Sequence, residues 1–413
     1  MERYSEYKDS GIQWIGEIPS HWEARKMKYI FIERSEKNHP NEPVLCATQS
    51  QGVIPQSIYT NRVVVVNKGF DGLKFVKEGD FVISLRSFEG GIEYAYYQGI
   101  ISAAYTILVP NRKAESNYWR YLFKSHPFIQ LLKTCVTGIR EGQNINYPLL
   151  SRKFLPVPPL SEQERIVNFL EGKTQKIDKY IADKEREIQL LKELKEAEIA
   201  KAVTQGLNPN VKMKDSGIPW IGMIPEHWET TKINSVFKER REKVSDKIYP
   251  PLSVSKQGIT PQLESAVKTD NGDNRKKVKE GDFVVNSRSD RKGSCGISPY
   301  TGSVSLINIV LQPRSDIEGK YFHFLFRSNN YIEEYYRIGR GIVADLWTTR
   351  YSEMRNIIVP IPPINEQRAI VEYINNKCSK VDSLITEFEA EIGHLKEYKQ
   401  RLIADCVTGQ IKV

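Results

Sequence analysis

Residues 7 to 23 read YKDSGIQWIGEIPSHWE and residues 213 to 229 read MKDSGIPWIGMIPEHWE, identical at thirteen of seventeen positions with an offset of 206. Self-similarity of this kind marks an internal duplication, so whatever scaffold one half adopts the other must adopt too. Each copy is expected to be a compact loop anchored by its tryptophans (Trp14 and Trp22, Trp220 and Trp228), packing as a staple on a long helix. His21 and His227 beside those tryptophans read as hydrogen-bonded structural residues, because no carboxylate or Cys sits at metal-ligand spacing.

The long helix is the second duplicated feature. Pro156-Val157-Pro158-Pro159 refuses a helix, and Ser161 with Glu164 three residues on suggests a capping box at the start of a run that ends near Gly206 and Asn208-Pro209. At ~1.5 Å per residue, roughly 43 residues make a rod about 64 Å long. Ile166, Leu170, Ile177, Ile181, Ile188, Leu191 and Leu194 follow three- and four-residue spacing, with charged residues elsewhere, and so narrow a seam needs a partner helix. Adding 204 to each gives Ile370, Ile374, Val381, Ile385, Ile392, Leu395 and Tyr398, all apolar or aromatic, so the partner lies in the same chain.

Between entry motif and rod, each half carries short strands punctuated by Gly and Pro. In the first half these are 44–47, 62–66, 81–85 and 102–109, followed by a helix over 118–133 whose copy spans 320–335. The expected fold class is α+β, with two pseudo-symmetric globular domains separated by two long antiparallel helices forming a coiled coil. The boundaries fall at 1–156 for the first domain, 157–207 for the first helix, 208–359 for the second domain and 360–413 for the second helix.

Composition narrows the function classes. No stretch of the 413 residues is apolar enough to span a membrane or serve as a signal peptide, and five scattered cysteines without CxxC spacing suggest reduced packing thiols in a cytoplasm. Sixty basic residues against 51 acidic ones give +9, a mild pointer to polyanions. Gly172-Lys173-Thr174 fails as a phosphate loop because Val167 stands where the motif needs Gly. Asp80 and Asp282, in the repeated Lys-Glu-Gly-Asp-Phe-Val, read as a turn before a strand rather than a nuclease carboxylate. Neither catalytic nor metal-binding residues are expected.

Binding chemistry remains. Basic and amide side chains cluster in the loops, many of them where the halves diverge: Arg62, Lys68, Arg86, Ser87, Arg140, Gln143 and Asn144 in the first half, and Lys256, Arg275, Lys276, Arg288, Ser289, Arg291, Lys292 and Arg340 in the second. Asn61, Asn67, Asn146, Gln257, Lys277, Arg337 and Arg350 accompany them. Arg reads guanine edges, Asn and Gln read adenine, and Lys and Arg hold phosphates, so double-stranded DNA is the expected partner.

With two Lys-Asp-Ser-Gly-Ile-x-Trp-Ile-Gly-x-Ile-Pro-x-His-Trp entries, and two Pro-Pro-x-x-Glu-Gln leads into long helices at 158–163 and 362–367, the chain resembles a specificity subunit of a type I restriction-modification system. The resemblance covers nearly the whole length. It implies two target-recognition domains reading a bipartite, asymmetric site, spaced by a helical ruler, in a non-catalytic subunit. It also implies docking to two modification (methyltransferase) subunits and to restriction subunits in the holoenzyme, with S-adenosylmethionine and ATP bound by those partners rather than by this chain. Two alternatives stay open: a specificity subunit of a type II-like two-component system, and a self-contained DNA methyltransferase or nuclease.

Overall fold

The computed structural model describes residues 2–60, 69–111, 116–137, 144–263, 272–288, 291–314, 317–341 and 347–413. Six helices longer than one turn occur among them: α1 (Ser116–Lys124), α2 (His126–Thr134), α3 (Leu160–Gln205), α4 (Gly319–Arg327), α5 (Asn329–Arg337) and α6 (Ile364–Val407). The chain forms two compact units, one of residues 1–184 with 389–413 and one of residues 185–388. Both long helices therefore contribute to both units.

The first unit is built on a four-stranded antiparallel sheet in the order Phe31–Arg34, Thr106–Pro110, Phe81–Ile83, Glu93–Tyr94. Its counterpart in the second unit runs Phe237–Glu239, Asn308–Pro313, Phe283–Asn286, Cys295–Ile297. The expected strand at 62–66 lies outside the described residues. The expected strand over 102–109 starts at Thr106, after a separate strand at Gly99–Ile101.

The single helix expected in each domain is two helices. Ser125 and Ser328 adopt extended backbone (ψ 143° and 144°), and each hydroxyl donates to a carbonyl three residues back, Leu122 or Leu325, at 2.7 Å. Pro127 in the first turn of α2 fits a restart, since its missing N–H would be unpaired there.

Each core closes over the ends of the long helices. Ile166 and Leu170 from the start of α3 join Leu402, Ile403, Cys406 and Val407 from the end of α6 in the core around Trp22, Trp119 and Phe123. Ile370 and Ile374 join Ala202 and Val203 around Trp228, Phe322 and Phe326 in the second unit. Ile166, Leu170, Ile370 and Ile374, expected to pair helix with helix, share these clusters with residues of the other long helix and of the globular domain alike, because the first turns of each rod lie beneath a domain. A buried tyrosine locks each junction: Tyr118 Oη donates to the Val407 carbonyl at 2.7 Å, and Tyr321 Oη to that of Val203 at 2.9 Å.

Farther along, the helices pair antiparallel within each unit. Lys399 Nζ reaches both oxygens of Asp178 (2.6 and 2.7 Å), and Lys195 Nζ those of Asp382 (2.7 Å each). Ile181, Ile188, Val381, Ile385 and Ile392 are buried, while Ile177, Leu191 and Leu395 are half-buried. Leu194 and Tyr398 are not seam residues: they are 48% and 46% exposed. Over several turns a 3.6-residue helix drifts from a strict seven-residue pattern, and the buried stripe passes instead through Ile199 and Ala202, and through Leu402 and Ile403.

The helix starts also differ from expectation. Because α3 begins at Leu160, Ser161 lies inside the first turn and the Ser161–Glu164 capping box does not form. Glu162 is used instead: buried, it accepts from Tyr4 Oη and lies 2.8 Å from His21 Nε2. Burial pushes its carboxyl up, but the Tyr4 and His21 hydrogen bonds outweigh this and hold it below the usual glutamate value. In the second unit Glu366 takes His227 Nε2 at 2.6 Å and Trp228 Nε1 at 2.9 Å. The entry motifs are therefore staples on the rods. Trp14 meets Phe128 and Trp220 meets Tyr331 edge-on, at 5.9 and 5.6 Å between centroids.

Candidate nucleic-acid interface

The turn in Lys-Glu-Gly-Asp-Phe-Val anchors the sheet beneath the divergent loops. Gly79 and Gly281 have φ of 89° and 85°, which a side chain would resist. Asp80 and Asp282 behind them are 2% exposed. Asp80 accepts from Arg34 Nε and Nη2 (3.0 and 3.3 Å), and Asp282 from Arg240 Nε and Nη2 (2.7 and 3.0 Å). The Lys77 and Lys279 amides add 2.8 Å bonds. Burial raises the Asp80 pKa against those donors. Two forked, buried pairs with every carboxylate oxygen engaged are structural, as the turn reading expected.

Seven predicted DNA-binding residues lie on the described surface. Arg288 and Arg340 come together: each forms an antiparallel bridge to Thr348, which places them on either side of one extended segment. The Arg340 amide and carbonyl bond Thr348 at 2.9 and 3.0 Å, leaving an 84% exposed side chain whose nearest carboxylate, Glu353, is 3.9 Å away. Exposed Arg350 comes two residues later. Lys292 stands 4.6 Å over the Tyr336 ring and 2.6 Å from Glu333, and exposed Arg291 belongs to the same loop. Lys256 sits exposed in the turn of the hairpin Leu252–Ser255/Gly258–Pro261.

In the first unit, exposed Arg86 opens the one-turn helix Ser87–Gly90, and Asn144 is exposed in the short hairpin Val136–Thr137/Asn144–Ile145. Arg62, Lys68, Arg140, Gln143 and Ser289 lie outside the described residues, as do Asn61 and Asn67.

Three predicted contacts face inward. Ser87 is fully buried, its hydroxyl accepting the Ser84 amide at 2.8 Å. Arg275 is 5% exposed and donates to Ser303 Oγ (2.9 Å) and the Ser303 carbonyl (3.1 Å), with burial pulling its pKa below the usual arginine value. Lys276 is held by the Asn308 carbonyl at 2.8 Å and Glu239 at 3.3 Å. Arg275 and Lys276 belong to the strand Arg275–Val278, paired on both sides, where a long cation must satisfy itself inside the fold. Asn146 likewise caps the turn Tyr147–Leu150, accepting from Leu149 N at 3.0 Å.

Lys124 and Arg327, absent from the predicted set, each donate to a carbonyl in the turn of a hairpin, Gln49 in Leu45–Thr48/Gly52–Pro55 and Lys256 in Leu252–Ser255/Gly258–Pro261. The signal was the alignment of Phe123-Lys124-Ser125 with Phe326-Arg327-Ser328, the same position in both copies.

No helix among the described residues is long and apolar enough to cross a membrane. All five cysteines are free, and four are buried.

A family model described as type I restriction modification DNA specificity domain matches residues 16–191 and 225–392, once in each half. The chain is 25% identical, over 97% of its length and 96% of the relative's, to a protein of Methanocaldococcus jannaschii described as the specificity subunit of type I restriction enzyme MjaX. The EcoBI specificity subunit of Escherichia coli is 24% identical over 63% of this chain and 59% of its own length. Among solved structures, a chain from a type I R-M system studied for complex assembly and conformational transition superposes with TM-score 0.69 at 16% identity, covering 95% of this chain and 99% of the other. The HsdS subunit of Thermoanaerobacter tengcongensis superposes at 0.53 and 15%, covering 95% and 98%. By its doubled fold and its two matched segments, the chain belongs to the type I restriction modification DNA specificity domain family.

Proposed function

We propose that this chain is the DNA-reading subunit of a type I restriction-modification complex and recognises a bipartite, asymmetric duplex site, one half-site per unit. The observation that carries this reading is the contrast between matched anchors and unmatched surfaces. The buried Arg–Asp forks, the Ser breaks and the Asp–Lys bridges recur in both units, and Arg288 repeats Arg86, whereas Arg340, Lys292 and Lys256 have no like-for-like copies in the first unit. A duplicated scaffold with two unlike basic surfaces suits two different half-sites.

The long helices serve as the spacer, since one turn of B-DNA separates sites on one face by ~34 to 36 Å and helices of 46 and 44 residues are ample for that. Their charged outer faces take two modification subunits. Methyl transfer and cleavage belong to those subunits and the restriction subunits, which bring S-adenosylmethionine and ATP, so this chain is non-catalytic and acts in the cytoplasm.

Purified chain mixed with duplex DNA and labelled S-adenosylmethionine tests this. The expected result is sequence-preferring binding at moderate salt, with methyl transfer only after modification subunits are added. Methyl transfer by the chain alone would contradict it in favour of a self-contained methyltransferase.

A further inference from the structure

In each unit one cation, at the last position of equivalent helices, holds a hairpin turn from behind. In the first unit it is Lys124, at the end of α1. Its ammonium donates to the Gln49 carbonyl at 3.1 Å, to the Gly90 carbonyl at 2.9 Å and to Glu93 Oε2 at 2.6 Å. Arg327, at the end of α4, donates to the Lys256 carbonyl and, at 2.9 Å, to that of Cys295.

The held carbonyl is in both cases that of the first turn residue, yet the turns differ. Pairing of Thr48 with Gly52 encloses Gln49, Ser50 and Gln51, whereas pairing of Ser255 with Gly258 encloses only Lys256 and Gln257. Every one of these turn side chains is exposed. Gln49 Nε2 lies 3.4 Å from Glu89, and the side-chain amides of Gln51 and Gln257 have no hydrogen-bond partner among the described residues. Each clasp also fixes the turn against the loop bearing predicted DNA contacts. Gly90 ends the short helix that Arg86 opens, and its hydrogen leaves room for Gln49, whose Cγ would stand 2.8 Å from any Cβ there. Cys295 comes directly after the loop of Arg291 and Lys292.

We propose that the turns at 49–51 and 256–257 are base-reading elements, with Gln51 and Gln257 presenting amides suited to the adenine edge, and that Lys124 and Arg327 are the positioning residues that set their pose. The chemistry fits: a glutamine amide pairs bidentately with adenine N6 and N7 in the major groove, and that geometry needs a fixed backbone. This assignment rests on the DNA-reading function proposed above.

Selection of bound duplexes from a randomised library by the full chain tests it. Lys124→Met and Gln51→Ala are expected to flatten base preference at the same few positions of one half-site, by about tenfold per position. Lys124→Arg restores that preference, and Arg327→Met flattens positions in the other half-site only. Unchanged preference in both Met variants, or equal loss across both half-sites, overturns the assignment. A wild-type chain that selects no motif overturns the DNA-reading function itself, a different outcome from a motif that survives Lys124→Met.

Discussion

The two clasps solve one problem with different chemistry. The register that pairs Val82 with Glu93 in the first unit pairs Val284 with Gly296 in the second, so the buried carboxylate facing Lys124 has no counterpart before Arg327. An ammonium is a compact charge that gains from a counter-ion. A guanidinium spreads its charge over a fork and is satisfied by two carbonyls. The Arg34–Asp80 and Arg240–Asp282 forks, by contrast, keep the same residues in both units. The buried fork in the sheet has been held fixed, and what supports the surface turns has been free to change.

The sheet forks give the largest expected effect. Asp80→Ala and Asp282→Ala each strand a largely buried arginine, and about 3–5 kcal/mol of destabilisation is expected from either, measured by urea unfolding. A large loss from one and a negligible loss from the other would break the equivalence of the units. Ile181→Asp puts a charge in the buried helix seam and should destabilise by about 3 kcal/mol. It should also blur discrimination between correct and altered spacers, and a variant that still rejects wrong spacers would remove the ruler.

Surface residues sharpen the contrast. Arg86→Ala and Arg288→Ala should each weaken binding to a different half-site by about 1–3 kcal/mol, with duplex competition as the readout. Uniform loss across all sequences would mark a phosphate contact instead. The smallest effect concerns pH. Burial raises the Glu93 pKa to about 7 from an ordinary 4.5, although Lys124 opposes the shift. A raised carboxylate stabilises the fold fully below pH 4.5 and loses that contribution as pH climbs through 7. Glu93→Gln should therefore flatten the stability profile of the first unit across that window, by about 1 kcal/mol given the Lys124 pairing. A profile that Glu93→Gln leaves unchanged would place the titration elsewhere.

Much of the scaffold was legible because the duplication repeats residues whose side chains are buried. The entry tryptophans, the Gly-Asp turns and both long helices can be read from identity and spacing alone. The Ser125 and Ser328 breaks escaped, since a serine that bonds back to a carbonyl looks like any helical serine until the backbone is seen. Ser87, Arg275 and Lys276 were misplaced for a related reason: residue type does not say which way a side chain on a paired strand or at a helix start points. Lys124 and Arg327 escaped because their main partners are carbonyls distant in sequence, and carbonyls leave no mark in residue identity.

Mapping methylated motifs in cellular DNA with and without this chain bears most directly on the central claim that one scaffold carries two unlike readers. The account predicts one motif that depends on the chain, made of two different half-sites at a fixed spacing. A palindromic motif, or a methylation pattern that survives removal of the chain, would contradict it.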